Sequence, residues 1–138
     1  MPRIPREHLP DGIYHVTQRG TGQIAIVRDD IDRRSFVRQL TEVARRFGWL
    51  CYVLCLMDNH FHLVIETERL WLSGGMHRLS FLHAQRFNRR YERVGHLFQN
   101  RFGVRIIEAK RRWEPRRAAP AQAPAPMNTA ATRRRRGR

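Results

Sequence analysis

The chain has 138 residues, the size of one domain, and carries 27 Lys and Arg against 12 Asp and Glu, for a formal net charge of +15. It contains no run of about 20 apolar residues, which excludes a membrane-spanning helix. Every basic residue except Lys110 is an arginine, whose forked guanidinium suits phosphate. The charge therefore favours a nucleic-acid partner over the alternative of a merely solvated basic surface.

The first part of the chain predicts a strand followed by a helix. Ile13 to Arg19 alternates in polarity and ends at a Gly-containing turn, and Ile24 to Val27 is a short extended run. Asp29 or Asp30 is expected to cap the helix, because a carboxylate accepts hydrogen bonds from first-turn N–H groups. Apolar residues then follow one helical stripe, which ends just before a glycine at position 48: Phe36, Leu40, Val43 and Phe47.

The middle of the chain predicts a β-hairpin. Trp49 to Met57 is a continuous apolar run typical of a central strand, and His60 to Thr67 is the second strand after an Asp-Asn turn. Cys51 and Cys55 lie four residues apart in the first strand, so we expect them to share a face as small apolar residues without a disulfide. With no secretory signal in the sequence, the reducing cytoplasm is the predicted location.

A second helix and a last strand complete the pattern. Residues 72–91 fit a helix that Gly95 terminates, and Val104 to Glu108 is extended. The order strand, helix, strand, strand, helix, strand predicts an α+β, ferredoxin-like (RRM-like) antiparallel sheet with two helices on one face and the other face open. The domain is expected to span residues 1–109. Residues 110–138 are rich in Arg, Ala and Pro, and are predicted to form a disordered tail.

The second hairpin strand offers a candidate metal site. Since alternate strand residues share a face, Phe61 should face the helices, whereas His60 and His62 should face the open side. Two imidazoles about 6–7 Å apart can converge on one cation, although a third ligand must come from elsewhere. Glu66 is one candidate for it. His15 is interpreted as a packing residue, and a supporting role beside the metal strand stays open.

Several separated blocks between residues 3 and 108 carry a family resemblance. They read His15-Val16-Thr17-Gln18-Arg19-Gly20, Asp32-Arg33-Arg34-Ser35-Phe36, Leu56-Met57-Asp58-Asn59-His60-Phe61-His62-Leu63, Phe87-Asn88-Arg89-Arg90-Tyr91 and Gly95-His96-Leu97-Phe98-Gln99-Asn100-Arg101-Phe102. Together these blocks resemble the HUH single-tyrosine transposases, and within them the REP-associated tyrosine transposases.

The resemblance implies cleavage and rejoining of single-stranded DNA, as in DNA transposition. It implies that His60 and His62 hold Mg²⁺ or Mn²⁺, which polarises the scissile phosphate. A tyrosine would then attack phosphorus, forming a 5′-phosphotyrosine link and releasing a 3′-hydroxyl. The implied partner is single-stranded or hairpin DNA. Family members are monomers or homodimers in the bacterial cytoplasm, associated with the nucleoid when bound to DNA.

The sequence departs from the family at the catalytic tyrosine. In the family it lies on a helix after the final strand, in a stretch resembling Tyr-Ile-x-x-Asn-Pro-Val, and no such stretch follows Lys110. We therefore expect the catalytic helix and the metal ligand that it supplies to be missing, as in a truncated or frameshifted copy that binds DNA without cutting it. Tyr91 is the candidate substitute nucleophile, whereas Tyr14 and Tyr52 are interpreted as core or sheet-surface residues.

Basic residues are the candidate DNA contacts. The set comprises Arg19, Arg86, Arg89, Arg90, Arg93, His96 and Arg101. A solvated helix face is the alternative for the clustered arginines. Two other functions remain open: a non-catalytic module that binds single-stranded RNA or DNA on its open sheet, and a structural metal-binding domain, which the two visible ligands disfavour.

Overall fold

The computed structural model describes residues 8–99 and 101–110. Within these residues the elements follow the predicted order, with the bounds β1 Gly12–Arg19, α1 Asp30–Phe47, β2 Leu50–Leu56, β3 His60–Thr67, α2 Arg69–Tyr91 and β4 Gly103–Ala109. Neither helix is long and apolar enough to cross a membrane. Except for Lys110, the predicted disordered tail lies outside the described residues.

The four strands form one antiparallel sheet in the order β2-β3-β1-β4. β3 pairs with β1 along its length, from Thr67 opposite Gly12 to His60 opposite Arg19. The outer edges of this central pair bind β2 and β4. The predicted ferredoxin-like α+β fold is confirmed, and its two central strands are the ones that carry His15, His60 and His62.

The helices cover one face of the sheet and leave the other open. Along β1 and most of β3, buried positions alternate with partly buried ones, as a sheet with a single covered face requires. Tyr14, Val16, Phe61, Leu63 and Ile65 are fully buried and share one core with apolar residues of both helices: Phe36, Leu40, Val43, Met76, Leu79 and Phe87. The residues between them on β1 and β3 therefore point to the open face.

The two helix ends that the sequence marked for α1 are observed. Asp29 is the N-cap, and its carboxylate accepts a hydrogen bond from the N–H of Asp32 at 3.0 Å. Gly48 ends the helix with a φ of 71°, in the left-handed region that glycine adopts without strain. α2 ends at Tyr91 as predicted, but the residue that takes the left-handed C-cap position is Glu92 and not Gly95.

The prediction of a central strand in the middle of the chain is wrong. β2 is an edge strand and not a central one, because the second neighbour of β3 is β1; Tyr52 and Val53 are accordingly about half exposed, at 46% and 48%. The short extended run from Ile24 to Val27 starts with Ile24 in an extended conformation and stays outside the sheet. The N–H groups of Ile26 and Val27 donate instead to the carbonyl of Asp58, in the turn between β2 and β3.

A β-bulge in β2 separates the two cysteines. The register with β3 shifts after Cys51 and leaves Tyr52 as the extra residue. Cys51 pairs with Ile65 and faces the helices, whereas Cys55 pairs with His62 and faces the open side. The prediction of a shared face is wrong, because one inserted residue inverts the alternation. Both thiols are free as expected, and burial raises the pKa of Cys51 to about 12.

Candidate metal and DNA site

Two histidines of β3 lie together on the open face of the sheet. His60 and His62 are both partly buried, and their ring centroids are 5.0 Å apart in an edge-to-face arrangement. Phe61, between them, is fully buried on the helix side. Strand alternation therefore brings the predicted pair of imidazoles together on one accessible surface.

His15 adds a third imidazole from the neighbouring strand. It lies diagonally across from His62, since Thr17 is the residue of β1 directly opposite His62. The Nε2 atom of His15 is 3.0 Å from Nδ1 of His62, and the two rings lie edge to edge and nearly parallel, with centroids 5.1 Å apart and planes 16° apart. The packing interpretation of His15 is thus incomplete, because its main contact is a polar one to a candidate ligand.

The turn before β3 orients the His60 ring. Nδ1 of His60 is 2.9 Å from the side-chain oxygen of Asn59, whose amide nitrogen donates to the carbonyl of Gln23 at 3.4 Å. That second contact turns the amide so that its oxygen faces His60, and an oxygen can only accept. His60 therefore carries its proton on Nδ1, which leaves the lone pair of Nε2 free for a metal.

Local electrostatics favour the neutral form of His60 and His15. The pKa of His60 is lowered first by partial burial and then by the charges of Arg19 and His62. The pKa of His15 is lowered first by partial burial and then by His62 and Arg105. A lowered pKa favours the neutral ring, which is the form that ligates metal ions.

The residues fit a divalent cation as a partial ligand set. Across residues 8–99 and 101–110, no group of three or more His, Cys, Asp or Glu side chains is placed to hold a metal ion. His60 and His62 would accordingly supply two ligands, and the remaining positions suit water or phosphate oxygens, which Mg²⁺ and Mn²⁺ accept readily.

Glu66 is not brought to the histidines. Its buried carboxylate accepts a hydrogen bond from the hydroxyl of Tyr52, and its other oxygen lies 3.3 Å from Nζ of Lys110. Four residues of extended strand, about 13 Å, separate it from His62. The structure therefore gives Glu66 an ion pair near the far end of β3 in place of the candidate role as third ligand.

Tyr91 lies on the helix side of the sheet. Its hydroxyl donates to Asp32 at 2.7 Å, its ring packs on Phe87, and the guanidinium of Arg28 lies 4.1 Å from the ring centroid. Desolvation, followed by the bond to Asp32, raises its pKa, which keeps the hydroxyl protonated. With the sheet between it and the histidines, this position does not support the predicted role as substitute nucleophile.

Arg19 is the predicted DNA contact that lies beside the histidines. It is exposed at the end of β1, directly opposite His60. A second guanidinium, which the sequence analysis did not single out, belongs to Arg105 of β4, an exposed residue directly opposite His15. Its signal in the sequence is a single charge between the apolar residues Val104 and Ile106, the pattern of a strand with one covered face.

Two of the other predicted contacts have partners inside the molecule. Arg90 forms ion pairs of 2.8 Å with Asp29 and 2.7 Å with Asp32, which tie the end of α2 to the start of α1. Arg93 donates to the side chain of Asn88 at 2.6 Å and to the carbonyl of His96 at 3.4 Å. Arg90 thus joins the two helices, and Arg93 holds the chain at the C-terminal end of α2.

The remaining predicted contacts lie away from the open face or near its edge. Arg86 and Arg89 are exposed on α2. His96 and Arg101 are exposed in the segment between α2 and β4, and His96 lines a cleft between that segment and α2. Any contact these residues make with DNA would therefore use a different surface from that of the histidines.

Fold and site together define a ferredoxin-like domain with a candidate cation site on its open sheet. The family model of IS200-like transposases matches residues 9–114, and the chain belongs to this family. The resemblance to transposases is thereby confirmed at the level of the IS200-like family. A search among curated proteins finds no match to the sequence.

Two solved structures share this fold. A candidate transposase from Deinococcus radiodurans R1 has a TM-score of 0.59 at 15% identity, covering 78% of this chain and 87% of that one. A REP-associated tyrosine transposase bound to a REP hairpin has a TM-score of 0.58 at 14% identity, covering 80% of this chain and 64% of that one. At these identities the likeness shows a shared fold, and this chain spans just under two thirds of the second protein.

Proposed function

We propose that this chain binds single-stranded or hairpin DNA on the open face of its sheet, and that His60 and His62 hold Mg²⁺ or Mn²⁺ there. The observation that carries the proposal is the pair of adjacent imidazoles in a member of a transposase family, each with Nδ1 already engaged and Nε2 facing away from that contact. The net charge of +15 and the hairpin bound to the REP-associated protein of the same fold support a DNA partner.

Two arginines would position the DNA strand at this site. Arg19 lies opposite His60 and Arg105 lies opposite His15, so both arginines lie on the open face next to the histidine cluster. Guanidinium forks bind phosphate oxygens with charge-assisted hydrogen bonds, which would hold the backbone across the histidines. When bound, the cation would supply Lewis-acid polarisation of the phosphate between them.

We further infer that these residues bind DNA without cutting it, as in a degenerate copy. The sequence contains three tyrosines, and none lies at the histidines. Tyr14 is fully buried on the helix side and Tyr91 donates to Asp32, while Tyr52 is engaged by Glu66. A 5′-phosphotyrosine link at this site would accordingly need a tyrosine from outside these 138 residues.

The alternative of an RNA-type sheet gains no support from the open face. Such modules present exposed aromatic rings on their central strands for base stacking. Here the corresponding surface carries His15 and His62, which contact each other through their ring nitrogens.

Metal binding is tested by titrating the purified protein with Mn²⁺. The matched variants are the double replacement His60→Ala/His62→Ala and the control His77→Ala, an exposed histidine of α2. We expect the wild-type protein and the control to bind equally, and the double variant to lose the site. Equal binding by the double variant would overturn the assignment of the ligands.

DNA binding and cleavage are tested together with labelled hairpin-flanked single-stranded DNA and Mn²⁺. We expect a retarded band on a native gel and no covalent adduct on a denaturing gel, with an RNA of the same sequence competing less well. An adduct would contradict binding without cutting, and Tyr52→Phe and Tyr91→Phe would identify its source. Equal competition by RNA would favour the general nucleic-acid module.

A further inference from the structure

One polar residue in the histidine cluster has no role in the proposed ligand pair. His15 comes from β1 and makes a nitrogen-to-nitrogen contact with His62, with the two ring planes 16° apart. We propose that His15 is a positioning residue, which fixes the proton position and ring orientation of His62 so that Nε2 of His62 can bind the cation. This inference rests on the proposed function of the same site.

The contact leaves two possible arrangements of one proton. Nδ1 of His62 and Nε2 of His15 are 3.0 Å apart, so a single hydrogen lies between them. If His62 donates, its Nε2 bears a lone pair; if His15 donates, Nε2 of a neutral His62 carries the proton. Because His15 occupies the Nδ1 side of His62, only the first arrangement leaves His62 able to ligate.

The other candidate ligand, His60, makes the same kind of contact with a partner atom that can only accept a hydrogen bond. His60 directs Nδ1 at the side-chain oxygen of Asn59, which Gln23 holds in place, so its Nε2 is the free nitrogen. Metal-ligating histidines commonly donate their second ring N–H to such a partner, which fixes the tautomer and the ring orientation. Asn59 has this place beside His60, and His15 has the corresponding place beside His62.

The surroundings of His15 suit positioning better than ligation. Its Nε2 is committed to His62, and among the residues that the structure describes no set of three candidate ligands converges on a cation. β1 is hydrogen-bonded to β3 on one side and to β4 on the other, so two sets of inter-strand hydrogen bonds hold the backbone of His15 in place. The nitrogen-to-nitrogen contact then limits rotation of the His62 ring.

The first test measures the proton on His62 in the metal-free protein. Nitrogen-15 chemical shifts distinguish an Nδ1–H from an Nε2–H imidazole, so they report the tautomer without any activity. We expect Nδ1–H for His62 in the wild-type protein and in His15→Gln, whose side-chain oxygen can still accept. His15→Phe keeps the ring and removes the acceptor, and should allow Nε2–H. An Nε2–H tautomer of His62 in the wild-type protein would overturn the inference.

The second test measures Mn²⁺ affinity and counts coordinated imidazole nitrogens by pulsed electron paramagnetic resonance. His15→Phe should weaken binding about 10- to 100-fold with two imidazoles still coordinated, whereas His15→Gln should stay within about threefold of wild type. His77→Phe is the matched control, and circular dichroism checks that each variant folds.

The outcomes separate this inference from the proposed function. Unchanged affinity in His15→Phe would reduce His15 to packing, and a fall from three coordinated imidazoles to two would make it a ligand; either result overturns the inference while the metal site stands. Wild-type protein that does not bind Mn²⁺, or binding that survives His60→Ala/His62→Ala, would overturn the proposed function itself.

Discussion

Two polar clusters on opposite faces of the sheet are built differently. The helix-side cluster joins Asp29 and Asp32 of the α1 start to Arg90 and Tyr91 of the α2 end, and each acid there meets a basic or hydroxyl donor. The open-face cluster joins His15, His60 and His62, with guanidinium groups beside them and no acid among its contacts within the described residues.

This difference separates residues that hold the fold from residues available to a partner. The helix-side charges are satisfied internally, so their contribution goes to helix packing. The open-face cluster places imidazole nitrogens and guanidinium groups on an accessible surface. There the nitrogens are available to a cation and the guanidinium groups to an anionic DNA strand. An arginine in a basic stretch of sequence therefore indicates a DNA-binding role only after the structure has shown whether an acid within the protein already pairs with it.

The largest expected effect compares neighbouring residues of β3. Phe61→Ala should lower the free energy of unfolding by about 3–5 kcal/mol, because the ring is fully buried against Phe36 and Phe98. His62→Ala should change it by less than about 1 kcal/mol, because the imidazole lies on the open face. Urea unfolding measures both. Similar losses of unfolding free energy in the two variants would mean that the two faces of β3 do not differ in burial as described.

Removal of Asp32 should have the next largest effect. Its carboxylate accepts hydrogen bonds from the N–H of Arg28 at 2.8 Å and from the hydroxyl of Tyr91. Asp32→Ala removes the acceptor of both bonds. We expect a loss of about 1–3 kcal/mol in urea unfolding, with DNA affinity unchanged. Asp30→Ala, at an exposed first-turn position of α1, is the control and should cost less. A loss of DNA binding in Asp32→Ala would place the helix side in the binding site.

Mild acid should weaken the helix side through His83. This histidine is buried and donates from Nε2 to the carbonyl of Ile26, and burial lowers its pKa despite that bond and the nearby Asp32. Since the unfolded chain takes up a proton near pH 6.5 that the folded chain resists, this contribution to stability is complete above pH 6.5 and declines as the pH falls towards the lowered value.

His83→Gln is the variant that isolates this contribution. Its urea midpoint should fall less between pH 7.5 and 5.5 than that of the wild-type protein. His15 and His60 also have lowered pKa values, and the charge of Arg86 lowers the pKa of His83 in addition to burial. All three residues are kept in the variant, so the difference between the two pH profiles reports His83. Parallel pH profiles for the two proteins would contradict the role of His83.

The smallest expected effect concerns one guanidinium of the open face. Arg105→Ala should weaken binding of single-stranded DNA and reduce the slope of log affinity against log salt by about 0.7, the value for one phosphate contact. Arg45→Ala, on the exposed side of α1, is the matched control and should leave the slope unchanged. Equal slopes for wild type and Arg105→Ala would remove this residue from the proposed DNA path.

The sequence alone determined the features that depend on near neighbours in the chain. Alternation placed Phe61 inside and His60 and His62 outside, since side-chain direction in a regular strand follows from its twofold period. Gly48 and one of the two acids Asp29 and Asp30 marked the ends of α1, because capping is satisfied within one helical turn. The order of elements was sufficient to predict the ferredoxin-like sheet.

Only the tertiary structure decided how distant segments meet. It put β2 at the edge, turned Cys55 away from Cys51 through a single-residue bulge, and paired Arg90 with acids about sixty residues away. The contact between His15 and His62 belongs to the same class, because it requires the register between β1 and β3. Register and strand order minimise the energy of the whole sheet, so no local stretch of sequence contains them.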